Sequence, residues 1–168
     1  MPAIATRSAQ HAIAIDIVVE SALWSAQPGT EYAVRRAIEA AAAFQGKAGE
    51  IAVLLADDAA IRTMNAQWRG IDKPTNVLSF PAGDPALGAD TAHLGDIAIA
   101  CETVAREAEA ENKAFLDHLA HLSIHGYLHL IGFDHETDRE AERMEHLETR
   151  ILASLGIADP YADRPGLD

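Results

Sequence analysis

The sequence predicts an α+β fold in which helices cover a small mixed β-sheet. Two observations predict it. Short alternating or apolar runs are interleaved with helical patterns in the order strand, helix, strand, helix, two strands, and helices fill the remainder. The chain has 168 residues, enough for one sizeable core and too few for two ordinary ones, so residues 1–168 read as a single domain. Nearly half the residues are apolar and about a quarter charged, the balance of a soluble globular protein.

The first strand is "AIAIDIVVE", where alternation puts Ile13, Ile15, Ile17 and Val19 on one face. A helix follows in "PGTEYAVRRAIEAAAAFQG". Thr30 is positioned to cap it, Val34, Ala37, Ile38 and Ala41 recur at helical spacing, and Gly46 stops it. "EIAVLLADD" is apolar on both faces and suits a central strand. Asp57 or Asp58 caps a short helix through Met64 to Trp68, and a loop around Pro74 leads to a strand from Asn76 to Phe80. Pro81 closes that strand and marks a sheet edge. "GDPALGADTAHLG" reads as a loop of the kind that often carries function. "DIAIA" is the last strand. Two or three helices remain, the final one opened by the capping box Thr137 to Glu140, with Ala141, Met144, Leu147, Ile151 and Leu155 as its buried stripe.

Composition narrows the function. The formal charge of −13 argues against a general nucleic-acid coat, whose affinity comes mainly from Lys and Arg. Nucleic acid must therefore meet a local cationic site. Arg35, Arg36, Arg62, Arg69 and Lys73 lie in the first half, and the last helix and tail are acidic. Cys101 sits alone in an apolar context, so it reads as a buried small hydrophobe and no internal disulfide can form. No run has the length of a membrane span or a signal peptide, and a cytoplasmic protein is expected.

The chemistry concentrates in "HGYLHLIGFDH". Five of the eight histidines lie between His118 and His135, and His118, His121, His125 and His129 recur every three or four residues along one helix face. His125 and His129 are one turn apart and can converge on one ion. On a straight helix, His135 would lie about 9 Å further along the axis. The chain must therefore break, and Gly132 permits it. Two spaced histidines, a glycine breaker and a third histidine form a strong metal signature: a zincin-like site at the end of a histidine-bearing helix. Three imidazoles leave a fourth zinc position open, the pattern of a catalytic site. Such donors also suit nickel, copper or iron. Asp134 is placed either to orient a ligand ring or water, or to form a turn at the helix end. His118 and His121 read as packing residues or outer partners of the ligands.

A zinc protease carries its glutamate base directly after the first histidine, where this chain has Gly126. Amide attack without that base leaves proton transfer unassisted. Phosphodiester cleavage instead needs charge stabilisation, which a metal and an arginine supply.

"HGYLHLIGFDH", with "RGIDKPTNVLSFP" and "LGDIAIA", resembles the YbeY family of bacterial metal-dependent endoribonucleases. The likeness runs from the helix before Arg69 to "DPY" at Asp159–Tyr161, about two thirds of the chain. It implies that His125, His129 and His135 bind Zn2+ and that Arg69 is the catalytic cation near the scissile phosphate, a role suited to a permanently charged fork. Lys73, Asn76 and Ser79 are candidates to line the same cleft; Asn76 and Ser79 serve equally well as loop and sheet-edge residues. The resemblance further implies single-stranded ribosomal RNA as substrate, notably at the 3′ end of 16S rRNA, with a role in ribosome quality control. Implied partners are a small-subunit ribosomal protein and an Era-type GTPase. The alternatives are a non-catalytic ribosome-assembly factor with a structural metal and another metallohydrolase such as a peptidase, which Gly126 disfavours.

Overall fold

A computed structural model describes residues 13–82 and 93–162. Most of the loop expected between Gly83 and His93, and the first twelve residues, lie outside them. Four strands form one mixed sheet in the order β1-β2-β4-β3: β1 (Ile13–Val19), β2 (Gly49–Ala56), β3 (Val77–Pro81) and β4 (His93–Ala100). β1, β2 and β4 run parallel, while β3 pairs antiparallel with β4, setting Val77 opposite Ile99 and Ser79 opposite Ile97. β2 lies between β1 and β4 and helices cover both faces of the sheet, so its residues are apolar on both faces. Pro81 sits at the end of an edge strand, where its missing N–H costs no ladder bond.

Among the described residues five α-helices flank the sheet: α1 (Thr30–Gln45), α2 (Asp58–Arg69), α3 (Cys101–Ala110), α4 (Phe115–Leu130) and α5 (Asp138–Ser154). A 3-10 turn, Ala22–Ala26, precedes α1 and seats Trp24, whose indole N–H donates to Ala56 O at 2.9 Å. One sheet face, carrying Ile51, Val53, Leu55, Ile97 and Ile99, packs against α1 and α4 in the main core. The other face, with Ala56, Leu78, Ala98 and Ala100, packs against Ile61 and Met64 of α2.

Local signals account for most boundaries. Asp57, not Asp58, caps α2 by accepting from Ala60 N–H at 2.8 Å, and α2 extends one residue beyond Trp68 to Arg69. The Thr137–Glu140 capping box opens α5 with both reciprocal bonds formed. Thr30 does not cap α1. Gly29 occupies the cap, and the Thr30 hydroxyl donates back to Gln27 O. Ile13 and Ile15 are buried, but the alternation fails at Val19, which is exposed at the end of edge strand β1. Cys101 is buried, and burial raises its thiol pKa, which suits an inert core residue. Among the described residues no helix is long and apolar enough to cross a membrane.

Candidate metal centre

α4 is the innermost helix. It packs against α1, α3, α5 and the sheet, and eleven of its residues are buried. Its histidine face looks toward α3 and α5. The approach to the sheet is closest at Gly126: a Cβ built there would lie 3.1 Å from the γ2 carbons of both Ile97 and Val77. The Ser79 hydroxyl donates to Gly126 O at 2.9 Å, tying edge strand β3 to the helix. Position 126 therefore faces the sheet, and its lack of a side chain follows from packing.

α4 ends in two nested bonds. Gly132 N–H donates to His129 O at 3.2 Å and Phe133 N–H to Leu128 O at 3.0 Å, the Schellman pattern. Gly132 holds φ at 106°, a conformation side chains rarely adopt, and Phe133 packs onto the core. This reversal carries His135 back to His125 and His129. One ring nitrogen from each of the three lies within 4.8 Å of the others. His125 Nε2 and His129 Nε2 are 3.1 Å apart, close to the separation of about 3.3 Å between two ligands at tetrahedral zinc-nitrogen bond lengths. Burial first, then the neighbouring His125 and His135, hold the His129 pKa down to about 4, so the ring is neutral at neutral pH, the form that ligates. The donor set fits a divalent transition ion.

A second layer of side chains lies behind the three imidazoles. Glu148 of α5 is fully buried. Its Oε2 lies 2.6 Å from His125 Nδ1, its Oε1 lies 2.8 Å from His121 Nε2, and the Tyr161 hydroxyl also donates to Oε1. Burial alone would raise its pKa, but the hydrogen bonds from His121 and His125 outweigh it and hold the carboxyl at about 2. His118 has its own acid: its Nε2 is 2.9 Å from Glu107 Oε1, and Asn76 Nδ2 donates to the same carboxylate at 3.0 Å. A cleft of about 810 Å³ runs beside this layer, lined in part by Asn76, Glu107, His118, His121, His125 and Tyr161.

The other residues singled out in the sequence are spread around this centre. Asp134 Oδ1 accepts from His135 N–H at 2.8 Å, the turn arrangement. Asn76 serves Glu107 and also accepts from Val77 N–H, while Ser79 bonds Gly126. Lys73 is exposed, and its backbone carbonyl accepts from Asn65 Nδ2. Arg69 is exposed at the C-terminal end of α2, whose apolar side packs on the sheet face opposite α4. Among the described residues no carboxylate pairs with Arg69 or Lys73, whereas Arg62 is held by Asp72.

Three converging imidazoles on this scaffold give the donor set of a metal-binding protein. A family model described as Endoribonuclease YbeY matches residues 22–156. The chain is similar to proteins named Endoribonuclease YbeY from Bradyrhizobium sp. (59% identical, covering 91% of this chain and 95% of the relative) and Bradyrhizobium diazoefficiens (56%, covering 90% and 86%). It is also similar to one from Rhodopseudomonas palustris (56%, covering 92% and 94%). A solution structure of a protein from Thermotoga maritima aligns at a TM-score of 0.49 and 26% identity, covering 92% of this chain and 99% of that one. The chain belongs to the Endoribonuclease YbeY family.

Proposed function

We propose that this protein is a zinc-dependent, single-strand-specific endoribonuclease that processes ribosomal RNA, notably the 3′ end of 16S rRNA, and takes part in ribosome quality control. The observation that carries the reading is the convergence of His125, His129 and His135 in a chain of an endoribonuclease family. In this reading residues 1–168 act as one domain in the cytoplasm, and a small-subunit ribosomal protein and an Era-type GTPase bring the enzyme to its RNA.

His125, His129 and His135 would hold the ion, and a bound zinc would supply Lewis-acid charge at a phosphate oxygen. The remaining work falls to the chain. Arg69 lies on the sheet face opposite α4 and has no carboxylate partner among the described residues; in this reading the RNA strand passes round the β3 edge, so that Arg69 grips the scissile phosphate and offsets the charge that develops there. Lys73 adds a second cation on the loop that follows. Asn76, Ser79 and Asp134 position the α3–α4 contact, the β3–α4 contact and the turn before His135. Position 126 holds no base, and a side chain there would point into Val77, Ile97 and Ser79, which disfavours a peptidase.

The test is an electrophoretic assay of purified protein on labelled single-stranded RNA and its matched duplex, with chelator and then with added zinc. Internal cuts confined to the single strand, abolished by chelator and restored by zinc, are expected. Restoration only by nickel, copper or iron would replace the cofactor. No cutting in any lane would overturn the nuclease reading in favour of a non-catalytic assembly factor. Arg69→Ala should keep its metal content and lose at least about 100-fold in cleavage rate, in line with the loss of one transition-state donor.

A further inference from the structure

We propose that Glu148 is a positioning residue of the metal centre, locking His125 in the tautomer that presents a bare Nε2, and that the C-terminal turn at Asp159–Tyr161 holds Glu148 in place. This inference rests on the reading of His125, His129 and His135 as metal ligands.

Packing gives no reason for an acid at position 148. Its neighbours on the buried side of α5, Met144, Ile151 and Leu152, are apolar, and a leucine or methionine would fill the same space. An ionised carboxylate survives there only because every oxygen is used. Oε1 accepts from the His121 ring and the Tyr161 hydroxyl, while Oε2 is given, among the described residues, to His125 alone. Among the described residues His121 Nδ1 has no partner, so its ring is held only through Nε2, which donates toward Glu148 and Tyr161.

The consequence lies at His125. A neutral imidazole carries one proton on two nitrogens. With the carboxylate 2.6 Å from Nδ1, the proton stays on Nδ1, and the lone pair of Nε2 points toward His129 and the centre. Remove the acceptor, and the proton is free to sit on Nε2, where it blocks ligation. The negative charge also makes the ring a stronger donor. Tyr161 reaches the carboxylate because Asp159 Oδ1 accepts from Tyr161 N–H at 2.8 Å, and the Thr149 hydroxyl, shared between Glu145 O at 2.9 Å and Asp159 Oδ1 at 3.2 Å, ties the turn to α5.

The experiment compares wild type, Glu148→Met and Glu148→Gln, prepared metal-free. Zinc affinity is measured by competition with a chromophoric chelator, and the His125 tautomer is read from long-range proton–nitrogen NMR correlations. Wild type should show the Nδ1–H tautomer. Glu148→Met should bind zinc about 10–100-fold more weakly. Glu148→Gln, which keeps an acceptor but not the charge, should recover part of the loss. Both variants binding within about 3-fold of wild type, or an Nε2–H tautomer in wild type, would overturn the role of Glu148. If Glu148→Met fails to fold, the wild-type tautomer decides alone. A wild type that takes up neither zinc, nickel nor iron(II) would instead overturn the metal reading itself.

Discussion

At Gly126 the histidine helix comes so close to the sheet that a Cβ would also sit 3.3 Å from Ser79 Oγ, besides its contacts with Ile97 and Val77. Alanine there gains about 0.8–1.0 kcal/mol of helix propensity. It must also displace two branched side chains, and overpacking of this kind costs about 1–3 kcal/mol. Gly126→Ala should therefore be destabilised by about 1 kcal/mol in denaturant titration. Gly126→Glu adds a chain and a charge to the same apolar layer and should cost more than about 4 kcal/mol, the range that marks a buried unpaired charge. A Gly126→Glu protein as stable as wild type would show that position 126 has room for a base after all. Sequence spacing brought out the three histidines because a helix turn and a glycine break constrain where they lie. Glu148 escaped it. Its position between Met144 and Ile151 is an acid on an apolar stripe, which is a signal, but its partners lie on another helix and only the fold joins them.

The helix end is where an element sets the site. Nothing lies within 4 Å of a Cβ at Gly132, so a substitution there costs only backbone strain, about 1–3 kcal/mol for a non-glycine held at positive φ. Because the Gly132 reversal delivers His135, part of that strain should appear at the centre. Gly132→Ala is expected to lower the melting temperature and also to weaken zinc binding in chelator competition; a stability loss with unchanged affinity would mean that His135 finds the centre without this turn. Periodicity anticipated some of these elements, since α1 buries Val34, Ala37, Ile38 and Ala41 as the pattern marks, and α5 buries Met144 and Ile151 of its stripe while Ala141, Leu147 and Leu155 are only partly covered. It did not give the strand order β1-β2-β4-β3 or the antiparallel setting of β3, because alternation says which side is buried and not which strand lies alongside. Nor did it give the Gly29 cap, since Thr30 has the chemistry of a cap and differs only in where the helix begins.

For the whole molecule, pH and salt test how site and charge combine. The folded state depresses the pKa of His129 to about 4 from its ordinary value of 6.5, so below pH 6.5 the unfolded chain binds the extra proton first. Metal-free protein should hold constant stability from this group above pH 6.5 and lose it as pH falls toward 4. Glu148, depressed to about 2, loses its contribution only below pH 4.5. Melting temperatures between pH 8 and pH 4.5 should therefore fall in wild type and much less in His129→Gln; parallel curves would remove His129 as the cause. Salt probes the opposite problem, how a chain of net charge −13 grips a polyanion. Between α2 and β3, Arg62 is held by Asp72, while Arg69 and Lys73 have no carboxylate partner among the described residues. Two phosphate contacts on a single strand give a slope of log affinity against log salt of about −1.4, and Arg69→Ala should halve it. A slope several times steeper, unchanged in Arg69→Ala, would place RNA on a cationic surface elsewhere. A shallow slope that responds to Arg69 would mean that this acidic protein binds free RNA weakly and depends on a partner to bring the strand to it.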